Sequence, residues 1–272
     1  MLINGESGRL VEAADRGFQY GDGLFETIAV KDGRPVFFFQ HLTRLKIGCH
    51  KLGIPCPDLQ ILLSETNQLC RGLDHAVLKL IITRGVGGRG YRPPDLIQPS
   101  RVLSTHPFPN YPLEYATHGI QARFCGTRLG LNPALAGVKH LNRLEQVLAR
   151  AEWDDSAIQE GIMLDVNGHV IEGTMTNLFY AKDTRLYTAK LDQSGVDGII
   201  RQIIIMLSEK HGFPVTERMF TLDDLLNADE VFVCNSIIGI WPIRQIEAKH
   251  FFVGVMTKRI QTCLHQFQQG DG

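Results

Sequence analysis

The 272-residue sequence lacks the features that mark membrane, secreted or polyanion-binding proteins. No stretch approaches the roughly 18 to 20 apolar residues of a membrane-spanning helix, and the N-terminus has no basic segment followed by a long apolar core. The formal net charge of -1 gives no general attraction to nucleic acid or anionic lipid. We therefore expect a cytoplasmic protein that binds neither nucleic acid nor membranes.

Clustered metal ligands are also missing. The six cysteines are scattered, form no C-x-x-C pair and do not stand at zinc-ligand spacing with the ten histidines. We expect reduced thiols and no metal site. What the chain does have is 44% hydrophobic content, enough at this length to bury the core of one large domain or two medium ones.

Strand and helix patterns alternate along the chain, which predicts an α+β (mixed α/β) fold. A hairpin is expected from strand 24–31, the turn Asp32-Gly33-Arg34 and strand 35–39, and the tail 266–272 is expected to be irregular. The proline-rich segment 105–112 predicts a domain boundary. We expect an N-terminal α/β domain over 1–106, a linker over 107–115 and a C-terminal α/β domain over 116–272. Helices are predicted at 41–52, 58–72, 142–152 and 199–211.

The segment 85–90 has the pattern G-x-G-x-x-G, but its context does not suit a dinucleotide site. Such a site needs a helix directly after the glycines, whereas Tyr91-Arg92-Pro93-Pro94 follows here. We favour a bendable loop that carries Arg84, Arg89 and Arg92 to an anionic substrate. An exposed basic loop without a ligand is the alternative.

Three features together indicate pyridoxal phosphate chemistry. Lys139 precedes a predicted amphipathic helix, Glu172 ends a strand beside small residues, and the glycine turn 195–198 leads into a helix whose free N–H groups would bind a phosphate. The cofactor needs a lysine for its aldehyde, an acid for its ring nitrogen and donors for its phosphate. Lys79, inside an apolar strand, either meets an anion or lies on a face turned to solvent.

The chain also resembles a known family over nearly its whole length: the aminodeoxychorismate lyases, within the branched-chain aminotransferase-like (fold type IV) pyridoxal-phosphate enzymes. Some motifs are shared with aminotransferases of that superfamily, and the loop 84–91 and the run 139–146 are more particular to the lyases. The segments that carry the resemblance are Gly21-Asp22-Gly23-Leu24-Phe25-Glu26-Thr27, residues 84–91, the run beginning at Gly137-Val138-Lys139, residues 172–179 and residues 191–202.

The resemblance implies a two-domain fold similar to D-amino acid and branched-chain aminotransferases, with pyridoxal 5'-phosphate in the C-terminal domain, and a homodimer. It implies conversion of the small molecule aminodeoxychorismate to 4-aminobenzoate and pyruvate, for folate synthesis, through a Schiff base between cofactor and substrate. An aminotransferase acting on D-amino acids or branched-chain amino acids is the alternative, and a catalytically silent protein of the same fold is a more distant one. The implied roles are catalysis for Lys139 and Thr27, cofactor binding for Arg44, Lys139, Glu172, Ile199, Ile200 and Ser236, and substrate binding for Lys79, Arg89 and Asn235.

Overall fold

The computed structural model describes residues 1–270, and the chain divides into two compact units. Unit 1 comprises Met1–Pro109 together with Val138–Asn142, and unit 2 comprises Asn110–Gly137 and the chain from Arg143 onward. Lys139 thus belongs to unit 1, although it lies within the predicted C-terminal range 116–272. The reason is backbone pairing, because Lys139 O accepts a hydrogen bond from Phe25 N at 3.1 Å.

Unit 1 is an antiparallel sheet with helices on it. The strands run in the order β2-β1-β6-β5-β3-β4, and every neighbouring pair is antiparallel. The apolar residues of one sheet face and of the two longer helices form its core. The elements are β1 (Leu2–Ile3), β2 (Glu6–Ser7), α1 (Arg16–Tyr20), β3 (Gly23–Lys31), β4 (Arg34–Pro35), α2 (Phe38–Leu52), α3 (Leu59–Cys70), β5 (His75–Thr83) and β6 (Ser100–Pro107).

Local sequence sets the helix ends in unit 1. Helix α2 stops at Gly53, which has φ of 61°, and α3 begins after Asp58, whose side chain accepts from Gln60 N at 2.7 Å. The prediction of a strand over 35–39 is wrong beyond Pro35, because Phe38 already opens α2. Phe37 and Phe38 are buried at the start of this helix, whereas Phe39 is exposed.

Unit 2 is a mixed nine-stranded sheet with helices around it. Its pairs are antiparallel except for β11 with β12, β14 with β7 and β7 with β8. The elements are α4 (Glu114–His118), β7 (Ile120–Leu129), α5 (Leu144–Arg150), β8 (Glu160–Asp165), β9 (Val170–Gly173), β10 (Asn177–Lys182), β11 (Arg185–Ala189), α6 (Ile199–Lys210), β12 (Val215–Arg218), α7 (Leu222–Leu226), β13 (Glu230–Asn235), β14 (Gly239–Ile246), β15 (Lys249–His250) and α8 (Val255–Gly270).

The unit 2 sheet closes on itself. Strands β10, β13, β14, β7, β8 and β9 follow one another, and β9 then pairs with β10 through Glu172 and Asn177. A closed sheet has no open edge at this point. Glu172 therefore lies at a position that is fixed by strand pairing on both sides.

Two helix predictions in unit 2 need correction. Helix α5 is shorter than the predicted 142–152, and its residues Leu144, Val147 and Leu148 are exposed rather than packed in a core. The tail predicted to be irregular is helical as far as Gly270 in α8, and its last two residues lie outside the described residues. The helical side chains Ile260 and Leu264 pack into unit 2, which holds the tail in place.

Residues 1–270 contain neither a membrane-spanning helix nor a cluster of metal ligands. No helix there has the length and apolar content needed to cross a membrane. No group of histidine, cysteine, aspartate and glutamate side chains in that range is arranged to hold a metal ion.

Candidate active site

Lys139 stands on an extended segment beside β3. His140 bridges to Leu24, and Leu141 N donates to Gly23 O at 2.9 Å. The Lys139 ammonium lies 4.4 Å from the centroid of the Phe25 ring. The lysine is thus held by backbone pairing on a sheet, five residues before α5 begins.

Lys79 lies against the same aromatic ring. Its ammonium is 5.6 Å from the Phe25 centroid, and in the pairing of β3 with β5 it stands directly opposite Thr27. Phe25, Thr27, Lys79 and Lys139 therefore share one face of the unit 1 sheet, which we call the lysine face. Lys79 and Thr27 are half-buried there.

The opposite face of β3 holds a buried charged cluster. Glu26 is only 1% exposed, and its carboxylate accepts from Arg44 Nε at 2.9 Å, from the Arg44 terminal nitrogen and from His41 Nδ1 at 2.6 Å. Burial would raise the pKa of Glu26, but Arg44 and His41 lower it to about 2. The guanidinium of Arg44 is thus fixed by an ionised carboxylate.

His41 completes that cluster. Burial lowers the pKa of His41, and nearby Arg44 and Lys139 lower it further against the opposing effect of Glu26. A carboxylate can only accept, so Nδ1 of His41 carries the proton that it donates. The periodicity of β3 could have revealed the cluster, because Glu26 falls among the core-facing residues Leu24, Ile28 and Val30.

The glycine-rich loop after β5 is held in place. The buried Arg16 donates to Gly90 O at 2.9 Å and to Tyr91 O at 3.1 Å, and Gly90 N donates to the Tyr20 hydroxyl. No helix follows the glycines; the next element is β6. This agrees with the rejection of a dinucleotide site.

The three arginines of that loop differ in their surroundings. Arg84 is buried and donates to Asp22 and to the carbonyls of Leu52 and Gly53, so it stabilises the unit and does not reach a ligand. Arg92 forms an exposed ion pair with Asp95. Arg89 is exposed and, within residues 1–270, forms no hydrogen bond or ion pair.

In unit 2, Glu172 is held at the closure of the sheet. It is 4% exposed and accepts from Val196 N at 2.8 Å, while its strand partner Asn177 donates to Val196 O at 2.8 Å. Gly195 has φ of 84°, and a Cβ there would lie 2.8 Å from Ile171 Cγ2. Only glycine therefore allows this loop to approach the carboxylate.

The same loop leads into α6. Gly198 is the N-cap, no side chain caps the helix start, and the first turn has no acidic residue. A Cβ at Gly198 would lie 2.0 Å from Asn177 Oδ1. The side chains of Ile199 and Ile200 are buried, so their backbone N–H groups are the available donors at a positively polarised helix end.

Asn235 and Ser236 form the turn between β13 and β14. Asn235 Oδ1 accepts from Ile237 N at 2.8 Å and Ile238 N at 2.9 Å, and its nitrogen donates to Met175 O at 3.1 Å. The carboxamide thus stabilises the turn and ties it to the β9–β10 connection. Ser236 is half-buried at the tip.

Sequence reasoning missed two residues near these groups. Phe25 contacts both lysines, although an aromatic residue in a strand gives no signal of such a role. Arg143 begins α5, and burial lowers its pKa against the opposing charges of Glu172 and Glu145. The only sequence signal for Arg143 is its position as a charged residue directly before an apolar helical stretch.

The amino-transferase class IV family matches this chain over residues 23–246. The chain belongs to the class IV aminotransferase family. This membership confirms the expected fold class, and it makes the chain an enzyme of a pyridoxal-phosphate-dependent family.

Several class IV relatives are similar over nearly their whole length. The aminodeoxychorismate lyase of Vibrio harveyi is 41% identical, with 97% of this chain and 98% of the relative covered. The crystal structure of 4-amino-4-deoxychorismate lyase from Pseudomonas aeruginosa has a TM-score of 0.94 and 44% identity, over 97% and 98% of the two chains. The branched-chain amino acid aminotransferase of Escherichia coli has a TM-score of 0.86 and 29% identity, over 98% and 94%.

The donors in this class IV chain fit pyridoxal phosphate. Unit 1 offers the amine of Lys139 and the fixed guanidinium of Arg44. Unit 2 offers the buried carboxylate of Glu172 and a helix start that no side chain caps. The aldehyde of the cofactor requires an amine, its ring nitrogen requires an acid, and its phosphate requires a cation and N–H donors.

Proposed function

We propose that the protein is a lyase that converts 4-amino-4-deoxychorismate to 4-aminobenzoate and pyruvate, a step of folate biosynthesis. The observation that carries the proposal is the lysine face, where Lys79 lies against the same ring as Lys139. A fixed cation beside the reactive amine suits a substrate that carries two carboxylates as well as its own amine. The similarity to two lyases over nearly the full chain supports the same function.

Six residues are proposed to hold the cofactor. Lys139 would bind its aldehyde, Glu172 its ring nitrogen and Arg44 its phosphate. The N–H groups of Ile199 and Ile200 and the hydroxyl of Ser236 would complete the phosphate site. When bound, pyridoxal phosphate supplies an electron sink that makes the carbon next to the substrate amine acidic.

The side chains of this enzyme then move one proton and hold the substrate. Lys139 Nζ would take the proton from the amine-bearing carbon, which lets the neighbouring carbon–oxygen bond break. The ring becomes aromatic as 4-aminobenzoate, and the departing enolate takes one proton on carbon to become pyruvate. Thr27, which shares the lysine face with Lys139, is proposed to contact the reacting atoms. Lys79, Arg89 and Asn235 are proposed to bind the substrate.

Product formation tests this function directly. Purified holoenzyme is mixed with 4-amino-4-deoxychorismate, and 4-aminobenzoate and pyruvate are measured together. Equal amounts of both products support the lyase. Amino-group exchange between D-amino or branched-chain amino acids and oxo acids, without these products, would instead show an aminotransferase.

Replacing Arg89 should weaken substrate binding alone. In Arg89→Ala we expect KM to rise about tenfold or more, since a hydrogen bond to a charged group is lost, with the visible absorbance of the bound cofactor unchanged. Arg92→Ala removes another exposed arginine of the loop and should leave KM as it is. Loss of cofactor from Arg89→Ala would contradict the assignment.

We also propose a homodimer. Leu144, Val147 and Leu148 of α5 are each at least 60% exposed, and a second copy of the chain would cover them. Light scattering should give twice the mass of one chain, and Leu148→Glu should lower it. Val166→Glu, at an exposed apolar residue of a hairpin turn, is the control; a single-chain mass for the parent would refute the dimer.

A further inference from the structure

The lysine face extends beyond the residues assigned so far. Strand β6 pairs with β5 so that Ser104 stands directly opposite Lys79, which is itself opposite Thr27. Residues directly opposite each other in antiparallel strands point to the same side of a sheet. Thr27, Lys79 and Ser104 therefore form one row, next to the row that holds Phe25.

Lys79 in the centre of this row has no acidic partner within residues 1–270. It is half-buried, and its ammonium lies over the Phe25 ring in a cation–π contact. Its row neighbours are two hydroxyls and no carboxylate. A partly buried ammonium flanked by hydroxyls is a site for an anion.

Ser104 has an uncommon partner for a strand hydroxyl. The residue is 7% exposed, and its Oγ lies 2.9 Å from Nε2 of His106, two residues further along the same face. If Nε2 carries the ring proton, it donates to Ser104 Oγ and leaves the hydroxyl proton of Ser104 for another acceptor. His106 would then orient the hydroxyl toward Lys79.

We propose that Ser104 and Lys79 together hold one carboxylate of the substrate, with His106 as the positioning residue of Ser104. The inference rests on the proposed lyase function and adds a contact to its substrate side. Opposite residues have Cβ atoms about 4.5 to 5.5 Å apart, so a hydroxyl and an ammonium at these positions can reach the two oxygens of one carboxylate. Ser104 is thus a determinant of specificity for carboxylate-bearing substrates.

The test compares Ser104→Ala and His106→Ala with the parent holoenzyme. We expect KM for 4-amino-4-deoxychorismate to rise about tenfold in Ser104→Ala, with kcat changed by less than about twofold and the cofactor absorbance unchanged. His106→Ala should raise KM less, and the double variant should be no worse than Ser104→Ala alone, because His106 acts through Ser104. Thr105→Ala is the control, since Thr105 lies opposite Leu78 on the other face.

Equilibrium inhibition constants give a readout that does not depend on turnover. The probes are the two products, each of which keeps one substrate carboxylate, and aniline, which has none. Weaker inhibition by either 4-aminobenzoate or pyruvate in Ser104→Ala, with aniline unaffected, supports the contact and identifies the carboxylate. Unchanged constants for both products, or an equal rise of KM in Thr105→Ala, would overturn it. The parent assay judges the lyase function separately.

Discussion

Lys139→Ala is expected to lose product formation, with kcat lower on the order of 10³-fold or more. Lys139 would both bind the cofactor aldehyde and carry the proton, so the variant would lose both functions together. The visible absorbance of the bound cofactor should be lost as well. Both quantities are measured on protein purified in the presence of added pyridoxal phosphate.

Two further variants test whether the amine of Lys139, and not only its charge, is required. Lys139→Arg keeps the positive charge but cannot act as a base, and it should be as inactive as Lys139→Ala. Lys46→Ala removes an exposed lysine of α2 and should behave as the parent. Substantial activity in Lys139→Arg would show that the residue serves only as a charge.

Glu26→Gln is expected to destabilise the protein by about 3–5 kcal/mol, because it removes the buried carboxylate that pairs with the half-buried guanidinium of Arg44. It should also weaken cofactor binding, since Arg44 loses the group that fixes its orientation. The free energy of unfolding by urea and the dissociation constant for pyridoxal phosphate measure the two effects. Glu6→Gln, at an exposed residue of β2, is the control.

The pH dependence of stability shows whether Glu26→Gln destabilises the protein through loss of the Glu26 charge or through a general packing defect. The folded-state pKa of Glu26 is lowered from 4.5 to about 2, so its contribution is fully present above pH 4.5 and is lost as the pH falls toward 2. The difference in unfolding free energy between the parent and Glu26→Gln should therefore shrink across that interval. A constant difference would show that the charge of Glu26 does not stabilise the fold.

Periodicity and turn chemistry predicted much of the fold. The predicted ranges 41–52 and 58–72 lie on α2 and α3, where an apolar stripe and end signals agree. Prediction failed where tertiary packing decides the outcome. The run ending in Phe38 and Phe39 is as apolar as a strand, and the glutamine-rich end of α8 looks unstructured until Leu264 is seen to pack.

The sequence singles out candidate site residues but not the contacts that hold them. Lys139, Lys79 and Glu172 stand out as charged residues beside apolar runs and small residues. The pairing of Lys79 with Ser104 depends on strand register, which single-residue patterns do not determine. The carboxamide of Asn235 accepts hydrogen bonds from its own turn, and this role depends on the backbone geometry of the turn.

Unit 1 is built from two separate segments of the chain, and this affects how it folds during synthesis. While the protein is being synthesised, the first 109 residues emerge well before Val138–Asn142, which complete the edge of β3. Until then Gly23 O and Phe25 N are unpaired backbone groups of the kind that attract other strands. Lys139, the proposed reactive lysine, therefore arrives with the last segment of unit 1, and that segment also closes the open edge during translation.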